Sequence, residues 1–271
     1  MALHHARSLL FLPASNARAV EKVRALPCDM VLLDLEDAVA DDAKQVARDS
    51  LPAAFSAGFG QRLTAVRINA SDTFWQAGDL AALASVKPDY VVLPKVEDGE
   101  DAAAIHAATR APVIAMIESP RGVARAAEIA ATPGVAGLFM GNNDLRRDLR
   151  IPMDAGRQGL TLAMQSVVLA ARLAGKVVFD GVYNKLADAE GFAAECIEAR
   201  SFGFDGKTLI HPNQIATANV IFGPSEEELA AAERLIAAAT GGAERHDGAM
   251  IEAMHVEQAR AMLARAAVLQ R

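Results

Sequence analysis

Short apolar runs alternate with alanine-rich, polar-flanked segments along the whole chain. Eight of these runs predict strands, at 8–14, 30–37, 64–70, 90–96, 112–119, 135–141, 177–183 and 205–211. Most are nearly continuous in Val, Ile, Leu, Phe and Met, which is typical of strands buried on both faces of a parallel sheet. The intervening segments, such as SNARAVEKVRAL and DGEDAAAIHAATR, begin with polar residues that suit helix N-caps.

The repetition of these strand–helix units sets the fold class. Eight units favour an α/β fold of the (β/α)8 TIM barrel type over residues 1–222. An open doubly wound sheet is the alternative, but the turn after the first strand lacks the G-x-G-x-x-G pattern of dinucleotide-binding folds. Residues 223–271 predict extra C-terminal helices, which we expect to pack on the barrel or on a neighbouring subunit.

Composition and charge indicate which kinds of partner this protein does not favour. The chain has 271 residues and a formal net charge of −7, which argues against nucleic acid or an anionic membrane as the main partner. Its apolar runs are too short to cross a bilayer, and its N-terminus lacks the features of a signal peptide. Cys28 and Cys196 lack C-x-x-C spacing, so we expect reduced thiols in a cytoplasmic protein.

Charged residues interrupt several of the predicted strands near their ends. Alternation along a strand turns Asp34 and Glu36 inward, and likewise Arg67. The same logic predicts four more inward charges: Lys95, Glu118, Asp180 and Lys207. Because the carboxyl ends of barrel strands form the active-site mouth, these charges predict a site there. Asp34 and Asp180 are best interpreted as buried ion-pair members, with Asp34 facing Lys207 or another inward base.

The motifs in this chain resemble those of a known family. RSLLFLPASN, LLDLEDAVADDAKQVAR, VRINA, LPKVE, MIESPRGV, GNNDL and GFDGKTLIHPNQI follow one another as in citrate lyase beta subunits and the related malyl-CoA, citramalyl-CoA and β-methylmalyl-CoA lyases. The resemblance extends from Arg7 to the final helix. It implies a TIM barrel of the phosphoenolpyruvate/pyruvate-type superfamily, often trimeric, that handles a keto acid or an acyl thioester with Mg²⁺.

The resemblance implies roles for individual residues. Glu118 and Asp144 match the two protein ligands of Mg²⁺, an ion that often binds one or two carboxylates together with water and substrate. Glu118 thereby also meets the substrate. Arg67 matches the residue that pairs with the substrate's carboxylate or carbonyl oxygen, where a planar guanidinium suits bidentate recognition.

Three further residues are expected around this constellation. Glu36 is placed to orient Arg67, and Asp37 to hold a metal-bound water or the helix start. Lys95 is placed to neutralise Glu36 or Glu118. Three bases elsewhere, Arg7, Lys44 and Arg48, are candidates for contacting CoA phosphates, with a solvated face as the alternative.

The implied chemistry is cleavage of a 3-hydroxyacyl thioester, such as citramalyl-, malyl- or citryl-CoA or its acyl-carrier equivalent, into a keto acid and an acyl thioester. Relatives that cleave thioesters carry an acid–base aspartate in a C-terminal MID-like motif that closes over a neighbouring subunit. Here GAMIEAMHVEQA places Glu252 at that position. The added methylene leaves open a shifted but competent lid, a different substrate or weak lyase activity.

Two other readings remain open at this point. One is an aldolase that acts on free keto acids, either with a metal or through a Schiff base on Lys95. The other is a non-catalytic barrel that binds a keto acid or acyl-CoA. This hypothesis stays open because Glu252 replaces the acid–base aspartate of the thioester-cleaving relatives.

Overall fold

Eight parallel strands close into a barrel in the order β1-β2-β3-β4-β5-β6-β7-β8, in a computed structural model that describes residues 1–152, 154–239, 244–246 and 249–269. This architecture confirms the (β/α)8 prediction and excludes the open sheet. The strands are β1 (Ser8–Pro13), β2 (Met30–Asp34), β3 (Leu63–Arg67), β4 (Tyr90–Leu93), β5 (Val113–Ile117), β6 (Val135–Met140), β7 (Val177–Asp180) and β8 (Gly206–Leu209).

Helices follow every strand and surround the barrel. They are α1 (Ala17–Val23), α2 (Lys44–Ser56), α3 (Gln76–Leu83), α4 (Gly99–Thr109), α5 (Pro120–Ala124), α6 (Ala126–Ala131), α7 (Asn142–Asp148), α8 (Thr161–Leu173), α9 (Ala189–Phe202), α10 (Ile215–Phe222), α11 (Glu226–Ala238) and α12 (Ala253–Leu269). Polar side chains cap several of them as expected; Asn16, Asp98, Ser119, Asp188 and Ser225 each accept a backbone N–H in the first turn.

The strands end earlier than the apolar runs that predicted them. In β2 the cause is local, because the Asp34 carboxylate accepts the backbone N–H groups of Glu36 and Ala38, each at 3.0 Å. These two bonds turn the chain directly after Asp34. The turn brings Glu36 to the mouth of the barrel.

Two apolar layers separate the inside of the barrel from the helices. Inward residues of the strands fill the barrel, where Phe139 and Phe179 meet edge to face with ring centroids 5.4 Å apart. Val178 and Leu209 belong to the outer layer, against the helices. Because strand residues alternate, Asp180 and Lys207 face the helices too. The prediction that these two residues point into the barrel was wrong.

The C-terminal segment lies at the end of the barrel opposite the mouth. There α12 packs against α11 and against the short 3₁₀ turn Leu3–His5, which precedes β1. Arg265 donates to the carbonyl of Asp205, immediately before β8 begins. Between α11 and α12, residues Glu244–His246 (β9) pair antiparallel with Ala249–Ile251 (β10), a ladder that the sequence did not predict. Of the described helices, none has the length and apolarity needed to cross a membrane.

Candidate active site

A cavity of about 300 Å³ opens at the carboxyl ends of the strands. It brings together five of the residues that the sequence singled out, from four different strand–helix units. Its lining is Phe11, Asp34, Asp37, Ala38, Arg67, Met116, Glu118, Met140, Gly141, Asn142, Asn143, Asp144, Val182, Asn184, Thr208 and Ile210. This cavity, here called the mouth cavity, is the position in which (β/α)8 barrels carry their active sites.

Arg67, the last residue of β3, is held on three sides. Its Nε and Nη2 atoms donate to the Asp34 carboxylate at 2.7 and 2.6 Å, and Nη1 lies 3.0 Å from Glu36. The guanidinium also lies over the ring of Phe11, 4.8 Å from its centroid. Although burial alone would lower its pKa, Asp34 and Glu36 raise the pKa of Arg67 well above the ordinary value. Asp34 was expected to face Lys207 or another inward base. The partner is Arg67, so the prediction of Lys207 was wrong and that of another inward base is confirmed.

Glu36 is buried beside that guanidinium. Burial raises the pKa of its carboxyl to about 7, and nearby Asp37 adds to this, whereas Arg67 and Lys95 oppose it. The Lys95 ammonium lies 3.4 Å from the carboxylate. Lys95 reaches it because its backbone adopts the left-handed conformation, with φ of 53°, which re-aims the chain after β4. Glu36 therefore contacts both Arg67 and Lys95.

Glu118 follows β5 and is buried, with one carboxylate oxygen accepting the backbone N–H of Lys95 at 2.7 Å. Burial and the charge of Glu36 raise the pKa of this carboxyl to about 7. Its other oxygen faces Gly141, where an added Cβ would lie 2.3 Å away. Only glycine at position 141 leaves room for the carboxylate in this orientation. Glu118 is thus a positioned acid whose charge lacks a full set of cationic partners.

Asp144 lies in the first turn of α7, which follows the neighbouring strand β6, and it lines the same cavity. Its side chain is 21% exposed and pairs with Arg147, which is 66% exposed and can swing into solvent at little cost. Across the described ranges, three or more His, Cys, Asp or Glu residues are nowhere grouped to hold a metal. A pair of carboxylates is the donor set that suits Mg²⁺, which keeps waters and substrate oxygens as its other ligands.

The remaining predicted residues occupy different surroundings. Asp37 is exposed on the rim of the mouth cavity. Glu252 is exposed ahead of α12, where its backbone N–H donates to His255, and it does not line the mouth cavity. The structure therefore does not bring Glu252 together with the other predicted residues within one chain.

The three bases considered for CoA phosphates have internal partners, and Lys44 and Arg48 are buried, so the solvated-face alternative was wrong for these two. Contact with CoA phosphates stays a prediction. Lys44 is buried and donates to the carbonyls of Leu35 and Glu36 and to Asn69, each at 2.8 Å. The other two bases form ion pairs, Arg48 with Asp79 and Arg7 with Asp29, both at 2.8 Å. Lys44 thus stabilises the turn that carries Glu36.

Sequence reasoning missed the polar wall of the mouth. Asn142, Asn143, Asn184 and Thr208 all line the cavity. The two adjacent amides of the GNND motif were a usable signal, because uncharged polar residues directly after a barrel strand point to the mouth.

Comparison with known proteins identifies relatives over nearly the whole chain. The (3S)-malyl-CoA thioesterase of Cereibacter sphaeroides is 43% identical over 97% of this chain and 95% of its own length. Citrate lyase subunit beta of Escherichia coli is 35% identical over 96% of this chain and 93% of its own. A solved structure of protein CitE from Mycobacterium tuberculosis, in complex with magnesium, acetoacetate and coenzyme A, matches with a TM-score of 0.85 and 35% identity, covering 98% of this chain and 100% of that one.

These relatives agree with the motifs that suggested the resemblance and with the barrel observed. The family match itself covers residues 7–212, which include every strand of the barrel and every residue of the mouth cavity. The chain belongs to the HpcH/HpaI aldolase/citrate lyase family.

Proposed function

We propose that this protein is a Mg²⁺-dependent carbon–carbon lyase that cleaves a 3-hydroxyacyl-CoA thioester into a keto acid and an acyl-CoA, or runs the reverse condensation. One observation carries the proposal: a fixed guanidinium, Arg67, faces the same small cavity as two carboxylates, Glu118 and Asp144. Relatives named for citrate lyase and for a malyl-CoA thioesterase, and a neighbour in complex with magnesium, acetoacetate and coenzyme A, support the choice of substrate class.

Glu118 and Asp144 would hold the Mg²⁺ ion. The fit rests on charge, since burial leaves Glu118 with a pKa raised to about 7 beside Glu36 and Asp144, a setting in which a cation is the missing partner. The ion, when bound, supplies Lewis-acid stabilisation at the oxygen that changes between hydroxyl and keto forms.

Arg67 would bind the carboxylate end of the keto-acid portion. Asp34 occupies the Nε and Nη2 atoms, so the guanidinium cannot rotate when substrate leaves. A donor held in this way adds positive charge where oxyanion character develops, without reorganising at the moment of reaction. Glu36, which forms an ion pair with Arg67 and lies near Lys95, would tune that charge and not touch the substrate.

Glu252 would act as the acid–base group on the enolate carbon in the site of another copy of the chain. It lies at the start of α12, and α12 packs at the end of the barrel away from its own mouth. A homo-oligomer, which we propose to be a trimer, would bring the two together. Support for self-association comes from α8, which exposes Leu162, Leu169 and Leu173 beside an apolar groove of about 560 Å³.

Mixing two inactive variants tests this arrangement. Wild-type levels are not expected, but a mixture of Glu118→Gln and Glu252→Gln chains, exchanged through dilute denaturant, should regain part of the activity that each lacks. Sedimentation of the wild type should give a mass above that of one chain. A monomer that retains full activity would contradict the shared site.

Hydrolysis of the same thioester is the second candidate function, because the relative from Cereibacter sphaeroides is named a thioesterase. The same residues would serve it, with water attacking the thioester carbonyl instead of the carbon–carbon bond breaking. The products separate the two reactions: cleavage releases a keto acid and leaves the thioester intact, whereas hydrolysis releases free CoA thiol and a hydroxy acid.

A substrate panel provides the deciding experiment. Malyl-, citramalyl-, β-methylmalyl- and citryl-CoA are incubated with Mg²⁺, and keto acid and free thiol are measured in the same samples. Keto acid without thiol supports the lyase, and thiol without keto acid supports the hydrolase. If neither keto acid nor thiol is released, and the protein binds keto acid only with Mg²⁺, both enzymatic functions are wrong and a binding role takes their place. Cleavage of free keto acids, or a borohydride-trapped adduct at Lys95, would indicate the aldolase instead.

A further inference from the structure

Asn142 holds an unused hydrogen-bond acceptor at the mouth. It is the first residue of α7, it is 7% exposed, and it lines the mouth cavity. Its Oδ1 atom is buried, and no group in the described part of the chain donates to it. Buried acceptors in folded proteins are almost always satisfied, so this one calls for a donor from outside the chain.

The other atom of the amide is fixed, which settles which way Asn142 faces. Its Nδ2 donates to Oδ1 of Asp180 at 3.2 Å. Asp180 is fully buried and ionised, because it also accepts from Arg157 at 2.9 and 3.1 Å and from Lys207. An ionised carboxylate can only accept, so the NH₂ group must face Asp180. The oxygen must therefore face away from it.

Packing holds the amide in this orientation. Gly181, directly after β7, lies against the Nδ2 side of the amide, and a Cβ added there would come within 2.7 Å of it. The carboxylate that orients Asn142 is itself tied through Arg157 and Lys207 to Glu195 on α9, at 2.8 and 2.7 Å. A cluster on the helix side of the barrel wall thus positions one amide on the mouth side.

We propose that Asn142 Oδ1 accepts a hydrogen bond from the hydroxyl group of the 3-hydroxyacyl ligand and makes the site select for that hydroxyl. The inference rests on the proposed function, which supplies a ligand with a hydroxyl group. Asn142 has no basic group to take the proton; it is a specificity residue that orients the O–H. In the keto product the same carbon carries an acceptor oxygen, which Asn142 would repel, so cleavage turns an attractive contact into an unfavourable one.

Binding of two ligands that differ only in the hydroxyl tests the proposal. Calorimetric titration of malyl-CoA and succinyl-CoA is carried out in EDTA, where metal-dependent turnover is prevented. Wild type should bind malyl-CoA at least about tenfold more tightly, as one well-made buried hydrogen bond allows. Asn142→Ala should lose that preference while retaining its affinity for succinyl-CoA. Gln45→Ala, which removes an exposed amide on α2 outside the mouth cavity, should keep it.

Each other outcome overturns the inference in a recognisable way. If wild type binds both ligands equally, or Asn142→Ala keeps the preference, the hydroxyl does not meet Asn142 although the substrate class stands. If the variant weakens both ligands equally, the donor is a water shared by both complexes. If wild type binds neither ligand in EDTA but cleaves malyl-CoA with Mg²⁺, the hydroxyl is held through the metal and not by Asn142. If it also turns over no thioester of the substrate panel, the proposed substrate class is wrong and the inference falls with it. Should urea unfolding show that Asn142→Ala does not fold, Asn142→Ser carries the same comparison.

Discussion

Two ionic clusters, each built around buried acids, lie on opposite sides of the barrel wall. The wall cluster, made of Arg157, Asp180, Glu195 and Lys207, sits between β7, β8 and α9. The mouth cluster, made of Asp34, Glu36, Arg67, Lys95 and Glu118, sits inside the barrel at its open end. Both contain acids and bases at hydrogen-bond distance, yet the pKa of Asp180 is shifted in the opposite direction from those of Glu36 and Glu118.

The difference lies in how completely each acid is compensated. Burial by itself would raise the pKa of Asp180, but Lys207 and Arg157 outweigh it and hold that pKa below its ordinary value. In the mouth cluster, burial prevails and the pKa values of Glu36 and Glu118 rise to about 7. A cluster whose charges are all satisfied stabilises the fold, whereas one that is short of positive charge is suited to bind a cation or an anion-bearing ligand through it.

The largest expected effect is on activity, from Glu118→Gln. Loss of a charged metal ligand should lower Mg²⁺-dependent turnover by about 10³-fold or more, because the ion contributes several kcal/mol to the transition state. The unfolding free energy in metal-free buffer should stay equal or rise, since an under-compensated buried charge is removed. Steady-state kinetics and urea unfolding measure the two. Glu233→Gln, on the exposed face of α11, is the matched control. A large loss of stability in Glu118→Gln would contradict the prediction and mean that Glu118 stabilises the fold.

Asp180→Asn, in the wall cluster, should lower stability more than it lowers activity. Removing one partner of a buried ion pair leaves Lys207 and Arg157 under-compensated, and we expect a loss of about 3–5 kcal/mol of unfolding free energy. Urea unfolding of the variant and of exposed Asp72→Asn gives the comparison. Any fall in activity should be smaller than for Glu118→Gln and should arise through Asn142. Unchanged stability would show that the wall cluster does not hold the fold.

Arg67→Lys tests whether the shape of the cation matters in the mouth cluster. A single ammonium cannot both replace the two bonds to Asp34 and present an edge to the cavity. We expect kcat/KM to fall by about 10²–10³-fold, the usual effect of losing one preorganised donor. Exposed Arg18→Lys is the control, and wild-type kinetics in Arg67→Lys would mean that the positive charge alone suffices.

The smallest effect is a dependence on pH in the wall cluster. An aspartate with a lowered folded pKa stabilises the protein above its ordinary pKa of 3.8, and the contribution is lost as pH falls through the lower folded value. The stability difference between wild type and Asp180→Asn should therefore stay constant from about pH 7 to about pH 5 and shrink only below about pH 4. Urea titrations across this range measure it. If the stability difference shrinks near neutral pH, the pKa of Asp180 is raised as that of Glu36 is, and the prediction is wrong.

The same comparison explains which features the sequence could predict. In β2 and β3 the apolar residues alternate with charged ones, so the inward direction of Asp34 and Arg67 could be predicted correctly. Their pairing could also have been found, because β2 and β3 are neighbours and the two residues are register partners. Lys207 lies on β8, on the far side of β1.

In β7 and β8 the sequence offers no such contrast. The strands read VVFD and GKTL. Apolar residues lie on both faces of β7, so periodicity cannot say which face Asp180 takes, and four residues of β8 are too few to settle the face of Lys207. The reach of Lys95 depends on a left-handed backbone that no residue type at that position signals. The role proposed for Asn142 depends on a partner from another strand, which only the folded structure supplies.

The register pairing of Asp34 with Arg67 has a consequence for assembly of the barrel. A slip of one residue between β2 and β3 would turn the guanidinium toward the helices and leave the aspartate charged and alone in a closed interior. The misaligned barrel would therefore be penalised electrostatically, whereas an all-apolar pair at this height would tolerate either alignment. Arg67, which is proposed to bind substrate, thus also favours the correct register of β2 and β3 during folding.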